Sequence, residues 1–164
     1  MCINAPTAAR IWDEVRKMRE ILFRGKRIDN GEWVEGYLVP ITINCYDKGY
    51  EIIEPDGIEY DELDGYHPLF SSDRVDPATV GQYTGLQDKN GRKIFEGDIV
   101  DCWSEGVNAK GTVQQRKDGL WIIYPNWQKT IMWGLCPDEY CHTTVEVIGN
   151  IHDNPELLQE VNQP

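Results

Sequence analysis

Three thiol and imidazole groups fall within seven residues of one another, Cys136, Cys141 and His142. Thiolate and imidazole are the preferred ligands of zinc, so these residue types raise a metal site first. The spacing C-x4-C-H lacks a second paired half, and His67 and His152 are distant in sequence. No four-ligand set emerges, and the reading is of reduced thiols in a loop with no metal. Asp61, Glu62 and Asp64, with Asp56 and Glu59 nearby, offer hard oxygen ligands of the kind calcium or magnesium takes. They lack the glycine and distal glutamate of an ion-binding loop at the required spacing, which leaves a solvated acidic surface open to basic partners. Glu96 and Asp98 straddle Gly97. Two carboxylates that close act as acid and base only where burial separates their pKa values. The simpler reading is a turn glycine flanked by acids that bond nearby backbone amides. No phosphate-binding glycine loop, dinucleotide fingerprint, nucleophile elbow or zinc-protease helix is present. The sequence therefore nominates no catalytic residue, cofactor site or metal site.

The elements that would hold such residues are short and β-like. From Met18 onward, apolar and β-branched runs alternate with glycine and asparagine, and no helical periodicity lasts beyond two turns. Glu20 to Arg24 and Glu32 to Val39 flank Asn30-Gly31, a pair that tolerates positive φ. Ile41 to Tyr46 and Tyr50 to Glu54 flank Asp47-Lys48-Gly49, and the acidic stretch from Pro55 to Gly65 reads as a surface loop. Asp88-Lys89-Asn90-Gly91 is the clearest turn, between Gly81–Thr84 and Arg92–Phe95. Runs at Asp98–Trp103, Gly111–Gln114, Leu120–Tyr124 and Val145–Ile151 follow. Their length and spacing predict a small SH3-like barrel over about residues 80–153, with Val100, Val113, Trp121 and Ile123 in its core and Val100 preferred to Ile99 as the inward residue. Asn154-Pro155-Glu156 reads as the start of a short C-terminal helix whose Leu157, Leu158 and Val161 dock on the sheet. Residues 1–17 form an extension outside the body, with Ile11, Val15 and Met18 at helical spacing, and residues 18–164 form one domain.

Composition narrows the function classes. The 164 residues carry a formal charge of −12, with eight acids and no lysine or arginine between Glu51 and Asp73. Direct nucleic-acid binding is disfavoured, because phosphates are repelled. The basic residues Arg10, Arg16, Lys17, Arg19, Arg24, Lys26 and Arg27 read as a solvated N-terminal segment. No run approaches a membrane span and the N-terminus lacks the order of a secretory signal, so a cytoplasmic protein is expected. Five scattered cysteines predict reduced thiols without disulfides. Of the six tryptophans most are expected in the core, while Trp127 and Trp133 lie in a segment of poor strand pattern and are the candidates for an exposed interaction surface, together with Asp61, Glu62 and Asp64.

Three segments together carry a family likeness. Met18-Arg-Glu-Ile-Leu-Phe-Arg24-Gly25 opens it, and Asp76-Pro77 through Gly85-Leu86, Asp88-Lys-Asn-Gly91 and Ile94-Phe-Glu-Gly-Asp-Ile-Val100 form its centre. Val147-Ile-Gly-Asn-Ile-His-Asp-Asn-Pro-Glu-Leu-Leu158 closes it. In this order the chain resembles the YopX-like family of bacteriophage and prophage proteins. The resemblance implies a β-rich fold with an SH3-like barrel and assigns no catalytic residue. The function expected is that of a non-enzymatic binding or accessory module acting on a protein partner or a second copy of itself. The alternatives are an acidic decoy that occupies a nucleic-acid-binding protein, and an enzyme whose site is assembled from residues distant in sequence.

Overall fold

The computed structural model describes residues 20–44, 47–61, 65–104, 107–125, 132–137 and 143–158. The expected N-terminal extension lies outside them. The chain is mainly β, and every strand pairing among the described residues is antiparallel. The strands are β1 (Phe23–Lys26), β2 (Trp33–Asn44), β3 (Asp47–Asp61), β4 (Gly65–Val75), β5 (Gly81–Gln87), β6 (Lys93–Phe95), β7 (Asp98–Ser104), β8 (Val107–Gln115), β9 (Trp121–Pro125), β10 (Trp133–Gly134) and β11 (Glu146–Asn150). They form a six-stranded sheet in the order β4-β3-β2-β1-β5-β6 and a five-stranded sheet in the order β10-β9-β8-β7-β11. No helix among the described residues is long and apolar enough to cross a membrane.

The N-terminal sheet is a meander that curls. Asn30 accepts the Glu32 amide at 2.9 Å through its side-chain oxygen, which closes the β1–β2 turn as its Asx chemistry predicts. Asp47, Lys48 and Gly49, expected as a turn, are instead strand residues paired with Asn44, Thr42 and Ile41, because the ladder runs on to leave only Cys45 and Tyr46 between the strands. The stretch from Pro55 to Gly65, expected as a loop, also forms ladder. Gly57, Ile58, Glu59 and Tyr60 pair with Leu69, Pro68, His67 and Tyr66, and the two-residue alternation of Ile58 and Tyr60 with acids is a strand pattern that the acidic composition obscured. The end of β4 returns to the end of β1, where Ile28 N–H donates to Arg74 C=O at 2.9 Å and Asp76 N–H to Lys26 C=O at 2.8 Å. Val75 fits inside that curl because Gly25 has no side chain: a Cβ there would stand 3.0 Å from the valine Cβ.

The C-terminal sheet does not close into a barrel. β10 is two residues long, and the edges β10 and β11 do not pair among the described residues. The sheet buries its inner face against the β5–β6 hairpin instead of against itself. Ile94 from β6 joins Val100, Cys102, Val113, Trp121, Ile123, Leu135, Val145 and Val147 in one cluster, with Leu86 and Trp133 packed at its margin. All four residues expected in the core are in it. Ile99, on the opposite face of β7, is as fully buried as Val100, so the choice between them does not arise. Asn90 and Gly91 sit at an exposed hairpin tip, with Gly91 at φ 81°. The expected C-terminal helix is a single 3-10 turn, Pro155–Leu158, because Leu157 N–H bonds back three residues to Asn154 C=O and the Asn154 side chain accepts the Asn150 amide instead of capping a helix.

Trp121 is 6% exposed, so Trp121→Ala should destabilise the protein by about 3–5 kcal/mol, while Asn90→Ala at the tip should cost under about 1 kcal/mol. Denaturant midpoints of the two variants check this, and the reverse ranking would show the sheet inside out.

Candidate functional site at the seam between the sheets

The most unusual chemistry in the molecule lies where β1 meets the start of β7. The Phe95-Glu96-Gly97-Asp98 turn needs a left-handed residue, and Gly97 supplies it at φ 82°. This turn points Asp98 inward, where its Oδ2 accepts the Phe95 amide at 2.8 Å. The expectation of an acid bonding a nearby amide holds for Asp98, but its depth was not legible: Asp98 is 0% and Arg24 7% exposed. Arg24 comes from β1, and its Nη2 lies 2.6 Å from Asp98 Oδ1. The guanidinium carbon sits 4.8 Å from the centre of the Trp33 ring and 4.9 Å from that of Phe95. A planar cation between aromatic faces keeps its charge compensated without water. Burial raises the pKa of Asp98 above the ordinary carboxylate value, opposed by the Arg24 charge and the Phe95 amide.

The outer rim of the seam is organised by Asp153. Its Oδ2 accepts from the Trp33 indole at 2.7 Å and from Asn150 Nδ2 at 2.8 Å, and Lys26 pairs with its Oδ1. The donors from Asn150, Lys26 and Trp33 hold the Asp153 carboxyl well below the usual range. His152 packs its ring at 5.9 Å from that of Trp33, and burial with the neighbouring Lys26 and Arg24 charges lowers its pKa. On the far side of the β5–β6 hairpin, Asp88 accepts the amides of Asn90 (2.8 Å), Arg92 (2.9 Å) and Val147 (3.1 Å). Burial disfavours its charge, yet these amides and Arg92 prevail and hold its pKa low. One carboxylate thus shapes the hairpin tip and ties it to β11.

The expectation of a solvated basic segment is corrected for its described members. Arg24 is the buried cation, Lys26 pairs with Asp153, and Arg27 pairs with Asp29 and Asp73. A charge pattern read along the chain could not see acids that the fold delivers from 74 to 127 residues away in the cases of Asp98 and Asp153. Of the proposed interaction residues, Asp61 ends β3, while Glu62, Asp64 and Trp127 lie outside the described residues, as do Cys141 and His142. Trp133 is half-buried and packs on the core, and Cys136 is exposed and free. No group of three or more potential metal ligands occurs among the described residues. Among the described residues the exposed tryptophan is Trp103, 68% accessible, which the sequence did not single out from the tryptophans expected mostly in the core. The signal was in the alternation, since Trp103 shares a face with Asp101 while Val100 and Cys102 point the other way.

The three motif segments of the chain therefore meet at one place: Arg24 from the first, Asp98 from the second, and Asn150 and Asp153 from the third. Residues 22–159 match the family described as YopX protein. The chain belongs to the YopX family. Its fold is shared with the crystal structure of protein EF1440 from Enterococcus faecalis, at 24% identity and a TM-score of 0.53, covering 86% of this chain and 99% of that one. No curated protein matches the chain. The family motifs here are the parts of a structural seam, whose polar groups face one another across the two sheets.

Two outcomes follow for stability. Arg24→Met and Asp98→Asn should each cost about 3–5 kcal/mol, because each strands a buried partner, and the double variant should cost less than their sum. A double-mutant cycle by denaturant unfolding checks this. Because the native pKa values of Asp88 and Asp153 lie below the 3.8 of a free aspartate, the stability they contribute is fully present above that pH and is lost as pH falls from there through the lower folded-state values. Asp153→Asn should lower stability at neutral pH and flatten the acid limb, measured by thermal midpoints across pH 2–7.

Proposed function

We propose that the protein is a non-enzymatic binding module, an accessory protein of a phage or prophage, that works by protein–protein contact through the outer face of its C-terminal sheet. The observation that carries this reading is Trp103. Trp103 is 68% exposed near the end of β7 while still paired across the ladder to Asn108, with Asp101 two residues away on the same face. The main apolar cluster takes Val100 and Cys102 from the opposite face of β7, and on Trp103's own face burial is confined to Ile99 at the start of the strand, so the indole at the far end is left in solvent. Large, rigid, amphipathic side chains are the usual anchors of protein interfaces, since they bury much area for little lost conformational freedom. The carboxylates and cations of the seam are consumed in holding the sheets together. Two grooves among the described residues, one beside Arg27 and Asp73 and one beside Glu35 and Tyr37, are lined without Asp98, Arg24 or Asp153.

The test is affinity capture from host lysate with the wild-type chain and Trp103→Ala, quantified side by side. A partner retained by the wild type should fall about tenfold with the variant, a loss of about 1.4 kcal/mol, with the thermal midpoint unchanged. Retention that does not depend on Trp103 would contradict the reading.

A second reading, the acidic decoy, is favoured by one observation. Six of the eight acids between Glu51 and Asp73 are strand residues of the β3–β4 hairpin, Glu51, Glu54, Asp56, Glu59 and Asp61 in β3 and Asp73 in β4, which gathers acidic positions on one arm. Binding that survives Trp103→Ala, weakens steeply with salt and is displaced by DNA would support this reading over the first.

A further inference from the structure

We propose that Trp103 and Asp101 form a receptor for one cationic side chain, a lysine or arginine that a protein partner presents to the outer face of the C-terminal sheet. The receptor presupposes the Trp103 interface proposed above and fixes the chemistry of what binds there. The molecule itself shows what an indole and a carboxylate do together. At the seam Arg24 lies 4.8 Å from the centre of the Trp33 ring, and its guanidinium is paired with Asp98. Lys26 stands 5.4 Å from the centre of the same ring and is paired with Asp153. Each cation is held by a ring and an acid at once, so its charge is answered from two sides. On the outer face of β7 the indole and the acid recur without the cation. Asp101 and Trp103 are two residues apart on one face, about 7 Å along the strand, a span that one long basic side chain can cover. Among the described residues no cation stands over the Trp103 ring, and Asp101 forms no ion pair.

The charges around the pair favour this occupant. Asp101 lies directly opposite Glu146 of β11, and like charges facing each other across a ladder destabilise a sheet. Lys89 answers Glu146 at 2.6 Å, and Lys110 of β8 stands on the other side of Asp101. The Asp101 carboxylate is left beside the bare indole. Its oxygens bond no backbone amide among the described residues, unlike those of Asp88 and Asp98, so the fold draws no turn or tie from an acid at this position. A phosphate or carboxylate brought to the same place would meet Asp101 and Glu146 on a chain of formal charge −12, which disfavours an anionic partner. A basic side chain meets opposite charge and an aromatic face, and both attractions strengthen as the contact excludes water.

Selection of a random displayed-peptide library on the full chain, with Trp103→Ala as the counter-screen, tests the receptor. Peptides that need Trp103 should share a lysine or arginine. Replacing that residue with glutamine should weaken binding at least about fivefold, Asp101→Asn in the protein should do the same, and the two changes together should cost little more than either alone. Binding should also weaken as salt is raised, and the thermal midpoint of Asp101→Asn should match that of the wild type. Trp103-dependent peptides that lack a basic residue, or that bind Asp101→Asn as tightly, overturn the receptor and leave the interface at Trp103 standing. A lowered thermal midpoint for Asp101→Asn overturns it too, by making the acid structural. If no peptide depends on Trp103, the interface and the receptor fail together.

Discussion

A guanidinium and a carboxylate buried together between two sheets constrain everything around them. Arg24 and Asp98 cannot be separated without leaving an uncompensated charge away from water, a cost of several kcal/mol. The turn that delivers Asp98, the strand that delivers Arg24 and the aromatic rings that enclose the guanidinium must therefore form together. Gly97 permits the turn, the Phe95 amide fixes the carboxylate, and Trp33 closes the outside through its bond to Asp153. Burial of such a pair adds little net stability compared with well-packed apolar side chains. Its effect is on choice of structure, since a sheet shifted by one residue would turn Arg24 to the opposite face.

The same economy of groups recurs at Asp88. Its two oxygens serve the hairpin turn through Asn90 and Arg92 and the second sheet through Val147. The β5–β6 hairpin thus belongs to the N-terminal sheet by its hydrogen bonds and to the C-terminal core by Leu86 and Ile94. This sharing explains why the C-terminal strands remain an open sheet: the face that a barrel would cover with its own strands is covered by the hairpin.

What could be read from the sequence was local. Alternation placed Val100, Val113, Trp121 and Ile123 in the core, and Asn-Gly chemistry placed the hairpin tip, because both depend on neighbours within a few residues. The loop assigned to Pro55–Gly65 failed where acidic composition outweighed a weak two-residue alternation, and the helix assigned after Asn154 failed because the asparagine side chain serves Asn150. The seam was not legible at all. Arg24 stood among other basic residues, and Asp98 in a turn, with 74 positions between them; only the folded chain brings them to 2.6 Å. The family motifs marked the segments that matter without stating that they meet, and the exposure of Trp103 could be seen only by following one face of β7 past its apolar side.

The seam makes the two sheets one cooperative structure, and scanning calorimetry tests this directly. The wild-type chain should melt in a single transition with equal calorimetric and van't Hoff enthalpies, and Arg24→Met should lower the midpoint of both sheets together while keeping that single transition. Two transitions in the wild type, or an Arg24→Met chain that melts as one unit at the wild-type midpoint, would contradict the account.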